Sequence, residues 1–261
     1  MNENAAPSCI EVADLTLAYD DFVLLRDVSF TVRQGDIFII MGGSGCGKST
    51  LLRAIMGLKA PAAGSVRYGE TDLWRCTEDE RQHLLRNIGV LFQGGALWTS
   101  MTLAENIALP LSRHTTLHGE EIYEQACLKL ALVGLAGFED YYPSEISGGM
   151  RKRAGLARAL ALDPHILFFD EPSAGLDPVS ARNLDELILQ LRESLDMTFV
   201  VVTHELASIF AIGSNSIFLN GRTRTADGRG DPTELLRTTN SAHVKNFLTR
   251  GAAGQEGRHV P

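Results

Sequence analysis

A phosphate-binding loop constrains this chain more than any other feature of its sequence. Residues 42–50 read GGSGCGKST and match the pattern G-x-x-x-x-G-K-[ST]. They follow the apolar run Ile37–Met41, which predicts a strand buried on both faces, and they precede a helical pattern that ends near Gly57. The glycines permit a turn whose backbone N–H groups, with the positive end of the helix, hold a di- or triphosphate. A glycine-rich turn that matches by chance is the alternative, and the flanking strand and helix disfavour it.

Two residues of this loop have predicted chemical roles. Lys48 would bridge the β- and γ-phosphates, and Ser49 would coordinate Mg²⁺. The candidate nucleotide-binding residues of the loop are Gly42, Gly43, Ser44, Gly45, Cys46, Gly47, Lys48, Ser49 and Thr50.

Two further apolar runs predict buried strands that end in polar residues. Ile166–Phe169 ends in Asp170 and Glu171, and Phe199–Val202 ends at Thr203 and His204. Three such strands with helical patterns between them indicate an open α/β sheet, in which ligands bind outside the carboxyl ends of the strands. Asp170 could hold the Mg²⁺ shell, and Glu171 could polarise an attacking water as a general base. A solvated turn is the alternative for an isolated Asp-Glu pair.

Two helix starts are predicted, and the first of them is a candidate anion site. Ser147-Gly148-Gly149 opens a helix with a predicted buried stripe, and the free N–H groups of its first turn can bind an anion. An ordinary serine cap is the alternative. Asp177-Pro178 opens another helix as cap and first residue. The predicted buried stripe of the first helix is Ala154, Leu156, Ala157, Leu160 and Ala161, and that of the second is Leu184, Leu187, Ile188, Leu191 and Leu195.

Several local features are also predicted from residue patterns. A change of alternation predicts a β-bulge near Asp14, and Asn220-Gly221 indicates a two-residue hairpin turn. The stretch 77–162 is predicted to be mostly helical. Two capping boxes are expected within it, one pairing Thr77 with Glu80 and one pairing Thr102 with Glu105.

Composition limits the class of protein. The 261 residues, 44% hydrophobic and 21% charged, are ordinary values for a globular chain. A net charge of −8 argues against non-specific binding to nucleic acid or to an anionic membrane. The four cysteines have no zinc or disulfide spacing, no apolar run reaches the length of a membrane span, and residues 1–10 lack a signal-peptide pattern. These features predict a soluble, acidic, cytosolic protein.

The order of the motifs resembles that of the nucleotide-binding subunits of ATP-binding cassette (ABC) transporters, from residue 10 to about 248. The further positions that match the family's motifs are Tyr19 for the aromatic that stacks on adenine, Gln93 for the Q-loop, Ser147 to Met150 for the signature, Asp170 and Glu171 for Walker B, Ser173 to Asp177 for the D-loop, and His204 for the switch histidine. Each of these residues alone has a plainer structural interpretation.

The resemblance implies a fold and a domain layout. The fold is a P-loop NTPase cassette of the α/β class, with a RecA-like, mostly parallel core sheet, an N-terminal antiparallel β subdomain and an inserted α-helical signature subdomain. One cassette domain would span 10–248, with the helical subdomain at about 94–162. The termini, 1–9 and 251–261, would be flexible.

The resemblance also implies a mechanism that needs ATP and Mg²⁺. Two copies would dimerise head to tail, so that Ser147 and Gly149 contact the γ-phosphate of the ATP held by Lys48 of the partner subunit. Glu171 would act as base, His204 would position the γ-phosphate, and Gln93 would sense Mg²⁺ and the water.

Two departures from the commonest family pattern point to a subgroup. Met150 stands where most members have Gln, and the stretches Gly94–Leu97 and Asn106–Leu111 are distinctive. Together they resemble the ATPase subunit of the MCE-type lipid transporters, which include the maintenance-of-lipid-asymmetry phospholipid system. That resemblance implies an integral membrane permease, an MCE-domain lipid-binding protein, no nucleic acid, and a position on the cytoplasmic face of the bacterial inner membrane.

Three questions stay open at this stage. The cargo could instead be an amino acid, a metal complex or a lipoprotein, and a soluble non-transport ABC ATPase is a further alternative that the acidic charge and single cassette disfavour. The apolar cluster Leu97, Trp98, Met101 and Leu103 could form a groove for a helix of a membrane partner, or could simply pack the helical subdomain. Cys46 is either a small residue tolerated in the loop or a regulatory thiol whose pKa the helix N-terminus lowers.

Overall fold

The computed structural model describes residues 6–249. The strands of this part of the chain are β1 (Ser8–Tyr19), β2 (Phe22–Arg33), β3 (Ile37–Gly42), β4 (Ala63–Tyr68), β5 (Thr71–Asp72), β6 (Ile88–Leu91), β7 (Ile166–Asp170), β8 (Thr198–Val202), β9 (Asn215–Asn220) and β10 (Thr225–Arg229). The helices are α1 (Lys48–Ile55), α2 (Glu78–Arg86), α3 (Leu103–His114), α4 (Glu120–Leu132), α5 (Gly148–Ala159), α6 (Pro178–Leu195), α7 (Leu206–Ile212), α8 (Pro232–Thr238) and α9 (Ala242–Thr249), with a 3₁₀ turn at Pro143–Glu145.

The chain packs as two compact units. Among the described residues, the first combines 6–81 with 198–249, and the second is Gln82–Met197. The helical subdomain expected at about 94–162 lies within the second unit. A single domain over 10–248 stays a prediction. Of the expected flexible ends, residues 1–5 and 250–261 lie outside the described part of the chain, and β1 already begins at Ser8.

An antiparallel sheet in the order β2-β1-β4-β5 forms one part of the first unit. Its strand β1 alternates buried and outward-facing residues, except where the pairing register shifts between Val12 and Leu15. At that shift Asp14 has a φ of +48°, and its N–H donates to the hydroxyl of Ser29 at 2.8 Å. The bulge predicted near Asp14 is therefore confirmed, because one extra residue lets both apolar sets face the same core.

A parallel arrangement of strands forms the other part of the first unit. Strand β3 pairs in parallel with β8 on one side and with β9 on the other, and β10 joins β9 antiparallel. Every residue of β3 and β8 is buried, which explains why both sequences are apolar apart from Thr198 at the start of β8.

The turn between β9 and β10 differs from the prediction. Asn220 is still part of β9, and four residues, 221–224, form the loop before β10. The N–H of Arg224 donates to the Asn220 carbonyl at 2.8 Å, and the Asn220 side-chain oxygen accepts from the N–H of Arg222 at 2.8 Å. The prediction of a two-residue turn was wrong because the Asn220 side chain caps a longer loop instead of occupying the turn itself.

The second unit contains a strand inside the stretch that was predicted to be mostly helical. Strand β6 pairs in parallel with β7, and a Cβ placed on Gly89 would lie 2.4 Å from the carbonyl oxygen of Ala159. Glycine is thus required there by the close approach of α5, not by a turn. Its presence weakens the strand pattern of IGVL, which is why sequence periodicity missed β6.

The predicted helix starts are confirmed. Thr102 and Glu105 form a reciprocal capping box at α3, Thr77 and Glu80 do so before α2, and Asp177 caps α6. The predicted stripe of α5 is buried throughout. On α6 the prediction fails only for Leu195, which is 47% exposed because the helix ends there and leaves it beyond the core.

Candidate functional site

The phosphate-binding loop joins the end of β3 to the start of α1. Gly42, Gly45 and Gly47 have φ values of +149°, +73° and +104°, a region that glycine adopts without strain. A Cβ on Gly42 would lie 2.5 Å from the carbonyl oxygen of Leu219, so no other residue fits there. A Cβ on Gly43 or Gly45 would meet no heavy atom within 4 Å. The loop is therefore closed by backbone on one side and open on the other, as an anion cradle must be.

Lys48 supplies a buried positive charge to this loop. The residue is 9% exposed, and its Nζ donates to the carbonyl oxygens of Gly42 and Gly43 at 3.1 Å each. Both acceptors are uncharged, so an anion in the loop would gain a charge-assisted contact with the ammonium. Ser49 and Thr50 follow in the first turn of α1.

Tyr19 lies at the end of β1, and its side chain contacts Thr50 and Lys59. Its hydroxyl is 3.5 Å from Oγ1 of Thr50, and Nζ of Lys59 lies 3.8 Å from the ring centroid. A cation over an aromatic face is attracted by the ring quadrupole. Tyr19 is 46% exposed, which leaves part of its side chain accessible. Lys59 was not predicted, because nothing in its loop sequence indicates a contact with Tyr19.

The ends of β6 and β7 bring two predicted residues to one edge of the second unit. Leu91 and Phe169 are register partners in the parallel pair, and Gln93 and Glu171 each follow two residues later. Asp170 is the last residue of β7, and Glu171 has a φ of +51°, a strained value for a residue other than glycine. The chain thus turns sharply between the two carboxylates at the carboxyl end of the strand.

The signature segment forms the start of α5. Ser147 is the N-cap, and its hydroxyl oxygen accepts from the N–H of Met150 at 3.3 Å. Ser147 therefore caps α5, and the anion site at this helix start stays a prediction. Gly148 and Gly149 are the first two helical residues, and a Cβ on Gly149 would lie 3.4 Å from the hydroxyl of Ser180. The glycines keep the first-turn N–H groups uncovered by side chains.

Asp177 caps α6, and its carboxylate accepts three hydrogen bonds. Its carboxylate accepts from the N–H groups of Val179 and Ser180 at 3.0 Å each and from the Ser180 hydroxyl at 2.5 Å. The hydroxyl contact, followed by the backbone contacts, lowers the pKa of Asp177 below its usual value. In the same turn Ser173 is buried, and within residues 6–249 its hydroxyl has no hydrogen-bond partner.

His204 follows β8 in the first unit. Its side chain is 56% exposed, and Nε2 lies 3.7 Å from a carboxylate oxygen of Glu205. The buried hydroxyl of Thr203 accepts from the N–H of Glu205 at 3.0 Å, which fixes the turn that carries the histidine. The imidazole is therefore at the carboxyl end of a buried strand and open to solvent.

Residues 25–174 match the family model described as ABC transporter, which is more than half of the chain. The chain belongs to the ABC transporter family. This membership confirms the sequence predictions of an ATP-binding cassette and of an ATPase.

Two curated relatives match nearly the whole cassette. The probable ribonucleotide transport ATP-binding protein mkl of Mycobacterium tuberculosis is 41% identical over 95% of this chain and 68% of its own length. The intermembrane phospholipid transport system ATP-binding protein MlaF of Haemophilus influenzae is 38% identical over 95% of this chain and 91% of its own length.

A solved cassette has the same fold. A dimeric structure of the ATP-binding cassette MJ0796, in a post-hydrolysis state bound to ADP and Pi, superposes with a TM-score of 0.76. It is 30% identical and covers 85% of this chain and 98% of that one. The predicted cassette fold is confirmed.

The thiol in the loop of this cassette is not activated. Cys46 is 3% exposed, and its burial raises the pKa of the thiol although Lys48 opposes that shift. The suggestion that the helix N-terminus lowers this pKa was therefore wrong, because desolvation outweighs the nearby charge.

We accordingly expect Cys46 to react slowly with iodoacetamide at pH 7.5. Its rate constant should be at least about tenfold below that of an exposed cysteine, since the thiolate is the reactive form. Mass spectrometry of tryptic peptides, with the unfolded chain in urea as the control, measures the rate. Labelling of Cys46 as fast in the folded as in the unfolded chain would contradict the burial described above.

The described residues of the cassette lack a membrane-spanning helix and a cluster of metal-ligating side chains. Within residues 6–249 no helix has both the length and the apolar character to cross a bilayer. The same residues contain no cluster of three or more His, Cys, Asp or Glu side chains arranged to hold a metal ion.

Proposed function

We propose that this cassette is the ATP-hydrolysing subunit of a transporter that moves phospholipid. The loop geometry carries the ATPase part of the proposal, because a buried lysine and an open glycine cradle lie at the end of a buried strand. The similarity to MlaF over 91% of that protein's length supports the cargo.

The loop is suited to the phosphates of ATP. The open space at Gly43 and Gly45 leaves backbone N–H groups accessible, and Lys48 can exchange its carbonyl acceptors for phosphate oxygens. Tyr19, next to Thr50 in the first turn of α1, would stack on the base. The remaining loop residues Gly42, Ser44, Cys46 and Gly47 would shape the cradle.

The residues present also fit Mg²⁺ bound together with nucleotide. Ser49 and Asp170 offer hard oxygen ligands, and Gln93 an amide oxygen, which suits a cation that keeps several waters and phosphate oxygens as ligands. The lack of an all-protein ligand cluster among residues 6–249 agrees with this mode. When bound, the ion would neutralise charge that develops on the phosphates.

Three side chains would perform the hydrolytic step. Glu171 would accept a proton from the attacking water, and Gln93, which follows the neighbouring strand in register, would orient that water. His204 would donate a hydrogen bond to the γ-phosphate, which its exposed position at the end of β8 permits. These roles follow the family resemblance and agree with the position of each residue at a strand end.

The second half of each site would come from another copy of the chain. Ser147, Gly148 and Gly149 open α5 with uncovered N–H groups, which can bind the γ-phosphate held by the partner subunit's Lys48. Asp177, on the D-loop, would lie at the same subunit boundary. The dimeric state of MJ0796 supports the pairing of two copies, and the head-to-tail orientation follows the family resemblance.

A groove in the second unit is the proposed docking site for a permease. It has a volume of about 430 Å³ and is lined by Trp98, Leu109, Pro110 and Arg158 among others. Buried Asn106 fixes its rim, since its amide accepts from the N–H of Trp98 at 2.7 Å and donates to the Trp98 carbonyl at 3.0 Å. An amphipathic helix of the permease would insert apolar side chains here.

The members of the apolar cluster that suggested this groove differ in how deeply they are buried. Leu103 is fully buried and packs the unit itself, whereas Trp98 is 58% exposed. The packing interpretation is thus correct for Leu103, and the docking proposal depends on Trp98.

Replacing Trp98 with Asp tests the docking proposal. We expect loss of permease co-purification and of transport, with ATP affinity within about twofold of wild type, because a carboxylate cannot be buried against an apolar helix without a large desolvation cost. Leu128→Asp, at an exposed position outside the groove, is the matched control. Normal assembly of the Trp98→Asp variant would refute the proposal.

The proposed partners imply where the cassette lies in the cell, and their co-purification tests the proposal. A permease of the MCE-associated type and an MCE-domain lipid-binding protein would hold the cassette on the cytoplasmic face of the bacterial inner membrane. Purification with native partners, followed by lipid analysis, tests this assignment. Co-purified phospholipid and an MCE-domain protein would support it, whereas nucleotide cargo would favour the second candidate, ribonucleotide transport, which the name of mkl suggests.

A further inference from the structure

A buried lysine in α5 donates to the backbone of one residue of the proposed reaction and interacts electrostatically with another. Lys152 is 6% exposed, and its Nζ donates a hydrogen bond to the carbonyl oxygen of Gln93. Burial lowers the pKa of Lys152, and the negative charge of Glu171 opposes that shift. One ammonium therefore interacts with both the backbone of the predicted Q-loop and the predicted base.

Lys152 also lies where three segments of the second unit meet. It lines a pocket of about 180 Å³ together with Gly94, with Gly148 and with residues 174–176 of the D-loop. These segments follow β6, begin α5 and follow β7, respectively. A change in the position of any one of them would alter the surroundings of the ammonium.

Helix α5 also donates hydrogen bonds to other main-chain carbonyl oxygens of the Q-loop. Arg158 donates to the carbonyl oxygen of Ala96 at 2.6 Å and to that of Gly95 at 3.5 Å. A Cβ on Gly155 would lie 2.9 Å from the Gly95 oxygen, so the two backbones are nearly in contact. Lys152, Gly155 and Arg158 are spaced by three residues and share one face of the helix. Residues 93–96 are therefore attached along the length of α5.

We propose that Lys152 is a positioning residue through which nucleotide contact at the N-terminus of α5 adjusts Gln93 and Glu171. The inference rests on the proposed function, in which Ser147 and Gly149 contact nucleotide held by the partner subunit. Lys152 follows Ser147 by five residues on the same rigid helix, so a displacement of the cap shifts the ammonium and the Q-loop carbonyl together. This arrangement couples the two nucleotide sites of a dimer, and such coupling appears as cooperativity in ATP.

A second buried lysine in the same unit provides the control. Lys129 is 4% exposed and forms an ion pair with Asp163, away from the residues of the proposed reaction. Lys129→Met removes a buried charge as Lys152→Met does. It should therefore lower thermal stability without changing the kinetics of the folded enzyme.

The test is steady-state ATP hydrolysis by the full chain as a function of ATP concentration, for wild type and the variants Lys152→Met, Lys152→Arg and Lys129→Met. For Lys152→Met we expect kcat to fall about tenfold or more while KM changes less than about twofold, because positioning acts on the chemical step. Its Hill coefficient should fall towards 1. Lys152→Arg, which keeps the charge and the donor, should restore both values to within about threefold.

Several outcomes would overturn the inference. They are a kcat for Lys152→Met within about threefold of wild type, an equal loss in Lys152→Arg or Lys129→Met, or a wild-type Hill coefficient of 1. If Lys152→Met does not fold, Lys152→Gln is held to the same criteria. Absence of ATPase activity in the wild-type chain would instead contradict the proposed function, so the two failures are distinguishable.

Discussion

The Glu171→Gln variant should bind ATP with normal affinity and hydrolyse it at a rate near background. Glutamine has almost the same shape as glutamate but cannot accept the proton of the attacking water, and loss of a general base typically costs about 10²- to 10⁴-fold in rate. The position of Glu171, two residues beyond the register pair of β6 and β7, places it where a base is needed. Isothermal titration calorimetry and a phosphate-release assay measure the two properties.

The same variant should accumulate as a dimer when ATP is present. ATP held between two copies cannot be removed, so the dimeric state is trapped, which light scattering detects as a doubled mass. Glu193→Gln, at an exposed position on α6, is the matched control and should behave as wild type. Turnover near the wild-type rate in Glu171→Gln would remove Glu171 from the role of base.

Two inactive variants should restore activity when they are mixed. Lys48→Ala removes the buried phosphate-binding charge, and Gly149→Asp places a carboxylate where the γ-phosphate would contact α5. Each variant alone should retain less than about 1% of wild-type activity, because each composite site then has a defective half. In a mixed dimer one site combines two intact halves, so random pairing should recover at most about a quarter of wild-type activity.

This complementation distinguishes a shared site from a self-contained one. The control mixes two differently tagged Lys48→Ala preparations, which should recover nothing. Gly149→Asp is expected to fold, since its Cβ would meet the Ser180 hydroxyl at an ordinary contact distance of 3.4 Å. Absence of recovery in a sample shown to contain mixed dimers would exclude the head-to-tail arrangement.

The strands that carry the site were predictable because their burial leaves a direct record in the sequence. Strands β3 and β8 are buried along their whole length, and β7 except at its last residue, so their residues are apolar apart from Thr198 at the start of β8 and Asp170 at the end of β7. The phosphate loop was predictable for a related reason, since Gly42 and Gly47 have backbone angles that other residues rarely adopt. Strand burial and glycine backbone angles are each reflected in a short stretch of sequence, so these features could be predicted from it.

The features that the sequence did not reveal depend on contacts between distant segments. Strand β6 exists because β7 pairs with it, and Gly89 serves the approach of α5. The contact of Lys59 with Tyr19 and that of Lys152 with Gln93 join residues separated by 40 and 59 positions, respectively. No periodicity within one helix or strand encodes such contacts, so the sequence alone assigns no role to Lys152.

The way α5 holds the Q-loop has a consequence for how such proteins diverge. Lys152 and Arg158 bind carbonyl oxygens, which every residue possesses, so the attachment does not depend on the side chains of Gln93 or Ala96. Gly95, with a φ of +75° and a backbone close to Gly155, and Ala96, with a φ of +52°, are restricted by geometry. Mutational drift can therefore alter the side chains of this loop during evolution while its main-chain path is retained, which would allow one ATPase framework to adapt to different membrane partners.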